Sequence, residues 1–125
     1  MFDRLSAYAP QALAVLRIVA GLLFLLHGTQ KLLGFPATEM SPPLMSLFGL
    51  AGLIEIVTGL LIIIGFFTRP AAFLASGTMA VAYWMVHAPN SLYPTNNGGD
   101  APILFCFVFL YLVFAGPGAW SVNKK

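Results

Sequence analysis

The chain has 125 residues, of which 59% are hydrophobic and only 8% charged. Soluble domains carry roughly a quarter charged residues, so this composition excludes a surface made mainly for water. A formal net charge of +2, with no basic run longer than Lys124-Lys125, excludes a nucleic-acid partner, and the single cysteine, Cys106, excludes an intramolecular disulfide or a CxxC relay.

Roughly 20 apolar residues cross a bilayer core as a helix. Four stretches qualify, at about 11–33, 44–67, 70–88 and 101–117. They predict an all-α fold: an integral membrane four-helix bundle forming one domain over residues 1–125, with lipid as its solvent. The first stretch follows Arg4 and invites a signal-peptide reading. Its apolar run, 12–33, exceeds the ~7–15 residues of a signal core and contains Arg17, so it reads as a retained transmembrane helix.

Ser41-Pro42-Pro43 supplies an N-cap and a first-turn proline for the second span. Thr68-Arg69-Pro70 is the only break before the third, which makes spans two and three antiparallel neighbours. The segment 89–100, PNSLYPTNNGGD, is the longest polar loop, and Gly116-Pro117-Gly118 breaks the fourth span. Arg4, Arg69, Lys124 and Lys125 fall on one side of this topology, with Lys31 near the other. The positive-inside rule then predicts that both termini are cytoplasmic, with Glu39 and Asp100 on the outer side.

Charges at membrane depth are costly and normally face a bundle interior, a cavity or each other. Arg17, Gly21, Phe24, His27, Gly28 and Lys31 share an arc of roughly 120° on the first helix. Gly52, Glu55 and Gly59 share a face of the second. The expected arrangement is an Arg17–Glu55 ion pair, serving either proton transfer or helix register. His27, Lys31, His87, Asn97 and Asp100 form a second, outer-side group suited to ligand binding, since histidine moves protons near neutral pH and lysine holds a carbonyl or anionic oxygen. The alternatives are a snorkelling Lys31, histidines bonded to loop carbonyls, and Asp100 as a helix cap. No metal-ligand spacing is present. The aromatics Phe66, Phe67, Tyr83, Trp84, Phe105, Phe107, Phe109 and Tyr111 suit either lipid-facing filler or a quinone ring.

The segments RIVAGLLFLLHGTQKLLGF at 17–35 and GLIEIVTGLLIIIGFFTRP at 52–70 together resemble the DoxX/DoxD-like family of small four-span membrane proteins. The likeness continues through HAPN at 87–90, NGGDAP at 97–102 and GPGAWS at 116–121, with Asp100 where many relatives carry Glu. The resemblance implies a bacterial inner-membrane protein acting as an oxidoreductase or a subunit of an oxidoreductase complex, in some relatives linked to quinone. No Rossmann fingerprint, P-loop, haem motif or iron–sulfur cysteine set occurs, so no intrinsic cofactor is expected, and a redox cofactor would be a diffusible quinone or belong to a redox partner protein. Two other readings stand beside this one. One is a small transporter or proton-conducting unit; the other is a non-catalytic membrane anchor or assembly factor. The apolar surface also leaves room for a homo-oligomer.

Overall fold

The computed structural model describes residues 2–36 and 47–125. The Ser41-Pro42-Pro43 cap and Glu39 lie outside the described residues. The described secondary structure is entirely helical. A 3-10 helix, Phe2–Tyr8, runs into α1, Ala9–Leu33. Then come α2, Leu47–Ile64, and α3, Thr68–Ala82, which continues through a π-helical turn, Tyr83–His87, and a 3-10 turn, Ala88–Asn90. A short α4, Pro94–Asn97, precedes α5, Asp100–Ala115. Phe2–Leu33 and Thr68–Asn90 are each long and apolar enough to cross a membrane, whereas α2 and α5 are shorter apolar helices.

The helices pack as two tight pairs, α1 with α2 and α3 with α5, joined along α2 and α3. Each seam is made from small residues, which let helix backbones approach where the surroundings offer no hydrophobic drive. In the first pair, Gly21 and Gly28 of α1 are seven residues apart, and so are Gly52 and Gly59 of α2. A β-carbon on Gly28 would lie 2.9 Å from the carbonyl oxygen of Gly52 and from Cβ of Glu55. In the second pair, Ala72, Ala75, Ser76 and Met79 present a buried face at helical spacing, and Ser76 Oγ donates to the Cys106 carbonyl at 2.8 Å. The two pairs meet over an aromatic cluster, where Phe24 of α1 stands edge-on to Phe109 with ring centroids 4.8 Å apart.

The α1–α2 register separates the two residues expected to form an ion pair. Gly28 lies against Glu55, Gly21 against Ile62 and Ile63, and Arg17 beside the Gly65 turn. Arg17 therefore sits eleven residues, about 16 Å of helix, from the position opposite Glu55, too far for its side chain to span. The Arg17–Glu55 pair does not form. Arg17 is fully buried, and its guanidinium instead donates to backbone carbonyls. Nη1 reaches Pro117 and Ala119 (the latter at 2.9 Å), and Nη2 reaches Trp120 at 2.8 Å and Ile63 at 3.4 Å. Ile63 lies in the last turn of α2 and Pro117 follows α5, so the cation lies at two helix C-termini, where the backbone dipoles leave partial negative charge.

This guanidinium anchors a C-terminal strap. Ala119 N donates to the Pro10 carbonyl, Val122 N to Ile64 and Asn123 N to Gly65, and Arg69 N donates to Lys125. Gly65 has φ +72°, and a β-carbon there would come within 2.5 Å of Ser121 Cβ, so only glycine lets α2 end flush against the strap. Arg69 caps α5 through the carbonyls of Val113 and Phe114 at 2.9 and 2.7 Å. Both chain ends and five of the six basic residues thus share one end of the bundle; Lys31 lies at the other.

Two outcomes follow. Gly28→Ala should force α1 and α2 apart and lower stability by about 1–3 kcal/mol, read from thermal unfolding in detergent. Arg17→Lys keeps a charge but loses the planar fork, so amide exchange over residues 116–125 should speed up markedly. Unchanged exchange there would show that the strap is held by other contacts.

Candidate functional site

Glu55 is 1% exposed and needs a partner in an apolar bundle. Lys31 provides it. Its Nζ lies 2.9 Å from Oε1 and 2.8 Å from Oε2 of Glu55, while the lysine side chain keeps 25% of its surface exposed. The Gly28–Gly52 contact makes this reach possible, because it brings Lys31 Cβ within 3.0 Å of where a Gly52 β-carbon would be. Lysine also suits its position in the last turn of α1, where a cation meets the negative end of the helix dipole. Lys31 therefore does not simply snorkel to the interface.

Lys31 also lines a cavity of about 420 Å³ between α2 and α3. Leu50, Ala51 and Ile54 form one wall, and Phe73, Leu74, Gly77, Thr78, Val81, Ala82, Met85 and Val86 the other. Phe73, Leu74, Val81 and Met85 are largely exposed, so the cavity is a groove open along one side. The hydroxyl of Thr78 donates to its own helix at the Leu74 carbonyl, 2.8 Å away, which leaves Lys31 as the charged group of the lining among the described residues. An ammonium carries three N–H groups. Two point at the Glu55 carboxylate, and among the described residues the third meets no acceptor.

The five residues expected to form one outer-side pocket are distributed differently. Lys31 alone among them lines the groove. His27 is exposed on α1, edge-on to the Phe105 ring of α5 at 5.6 Å between centroids. His87 and Asn97 are brought together, but as a loop lock. His87 Nδ1 lies 2.9 Å from the Asn97 carbonyl oxygen, which can only accept, so Nδ1 carries the proton.

Asn97 is buried, and its amide is fully engaged. Nδ2 donates to Tyr83 Oη and to the Ser91 carbonyl, both at 3.1 Å, and Oδ1 accepts from Gly99 N at 2.8 Å. Its role is to fold the 88–99 loop onto the π-helical turn, not to present a polar group outward. Asp100 is exposed in the first turn of α5, favourable for the helix dipole, while Gly99 occupies the capping position with no side-chain bond. Among the described residues, no group of three His, Cys, Asp or Glu side chains could hold a metal ion.

The groove itself escaped sequence reasoning. Its lining is apolar and typical of any span; the one usable signal was Gly77-Thr78 in α3, a small and polar step opposite Ala51 of α2.

Known proteins resemble this chain along most of its length. It is 42% identical to an uncharacterized protein of Haemophilus influenzae, over 98% of this chain and 96% of that one. It is 30% identical to the inner membrane protein YphA of Escherichia coli, over 96% and 94% of the two chains. The inner membrane protein YqjF of the same organism is also 30% identical, over 88% of each. No solved structure matches. With the long apolar helices, these relatives identify a membrane protein. The model of the DoxX family matches residues 12–88, more than half of the chain and the whole of the Lys31–Glu55 seam, so this protein belongs to the DoxX family.

Proposed function

We propose that the protein is a membrane subunit of an oxidoreductase complex linked to quinone, with electrons delivered by a separate redox partner protein. The observation that carries this reading is the Lys31–Glu55 pair, buried on the Glu55 side and open to an apolar groove on the Lys31 side. Such a pair holds a hydrogen-bond donor and a proton carrier together at the edge of lipid, where a membrane-soluble substrate arrives. The residues fit a quinone: Lys31 would hold a carbonyl oxygen and the α2–α3 groove the apolar remainder. A bound quinone would supply two-electron, two-proton acceptor chemistry. Lys31 orients and polarises the carbonyl oxygen it donates to, and Glu55 holds the proton balance of the pair through its two carboxylate oxygens. The groove walls exclude bulk water from both. Arg17 and Asn97 are structural in this reading.

The same proposal includes the topology. All four long helices cross the membrane, α2 and α5 as short spans of about 27 and 24 Å. The end that gathers Arg4, Arg69, Lys124 and Lys125 faces the cytoplasm by the positive-inside rule, and with it both termini. Location in the bacterial inner membrane is supported by the names of the two Escherichia coli relatives.

The test is purification in mild detergent, identification of bound quinone and co-purifying protein by mass spectrometry, and quinone reduction by the reconstituted complex. Glu55→Gln should lower the rate roughly 100-fold or more, as loss of a positioned proton carrier does, with the helix content intact. Equal reduction by the partner without this subunit would refute the proposal.

A further inference from the structure

Resting on the quinone-linked reading, we infer that the α2–α3 groove selects a neutral, carbonyl-headed amphiphile, and that Gly77 is the residue that keeps the tail path open. The first half of the inference comes from charge. Lys31 lines the groove, but its charge is already matched by Glu55 at 2.8 Å. A carboxylate or phosphate head group would add a second anion to a site whose described residues hold one cation, leaving net negative charge among apolar side chains, where an unpaired charge is strongly disfavoured. A neutral carbonyl accepts the third Nζ–H and leaves the pair balanced. The groove therefore favours a quinone head over a fatty acid or a phospholipid.

The second half comes from shape. About 420 Å³ is within the range of small-ligand sites, enough for a head ring and the first part of a tail. The lining includes small residues, Ala51 on α2 and Gly77 and Ala82 on α3, among the bulkier Phe73, Leu74, Val81 and Met85. A β-carbon on Gly77 would meet no atom within 4 Å, in contrast to Gly21, Gly28, Gly52 and Gly59, whose missing side chains are filled by the neighbouring helix. Helix packing does not need glycine at position 77. In an exposed helix interior glycine costs about 1 kcal/mol relative to alanine, so its presence here is explained by the space it leaves.

The test uses the full chain in nanodiscs, titrated calorimetrically with decyl-benzoquinone and, separately, with oleate. Wild type should bind the quinone and bind oleate at least tenfold more weakly. Gly77→Phe should weaken quinone binding at least tenfold while leaving the unfolding temperature unchanged; Val81→Trp, on an exposed rim position, should do the same if Gly77→Phe folds poorly. Gly77→Ala should unfold no earlier but bind quinone about two- to threefold more weakly, because its methyl narrows the path. Wild-type affinity in both filled variants would overturn the groove assignment and leave the quinone-linked function standing. Oleate binding as tightly as quinone would overturn the neutral-head selection. No quinone binding by wild type, together with no subunit-dependent quinone reduction, would overturn both the inference and the function on which it rests.

Discussion

The contact of Gly28 with Gly52 governs the rest of the molecule. Two backbones meet there with no side chain between them, and the seven-residue spacing to Gly21 and Gly59 extends that approach along the seam. One register is thereby fixed, and every ionisable group inside the bundle takes its partner from it. Lys31 is delivered to Glu55 at one end; Arg17 is delivered to the ends of α2 and α5 at the other. A slip of one helical turn would leave Glu55 buried without its cation and Arg17 without its carbonyls.

The two internal cations solve the same desolvation problem in opposite ways. Lys31 meets a formal charge and keeps a quarter of its surface free, so among the described residues a donor is left in reserve. Arg17 is enclosed and meets only backbone dipoles, several weak acceptors arranged around a planar fork. That difference separates the candidate ligand site from the scaffold. A compact point charge with a spare N–H suits binding, whereas a guanidinium surrounded by carbonyls suits closure of a chain end.

The all-α class and the apolar helices were legible in the sequence, because helix length and apolar composition are local properties. Partner choice was not local. Arg17 and Glu55 looked matched by sign and approximate depth, but depth counted from each helix start ignores how two helices are offset. The glycines held the missing information. Aligning Gly28 with Gly52 in antiparallel sense brings Glu55 beside the last turn of α1 and moves Arg17 to the Gly65 turn. The C-terminal strap was illegible for another reason: Arg17 binds carbonyls, which every residue carries, so no side-chain pattern announces them. Asn97 was misread because a polar residue in a polar loop gives no sign of whether it faces outward or ties the loop together.

The strap has a consequence for how this end of the protein responds to its surroundings. Arginine keeps its proton across any pH a cell meets, and backbone carbonyls have none to gain. A closure made from these two groups has no titratable member, unlike a carboxylate latch, which acid would release. The Arg17 closure itself is thus indifferent to acidity. Glu55, paired with Lys31, lies toward the opposite end, so the bundle closes its two ends with different chemistry.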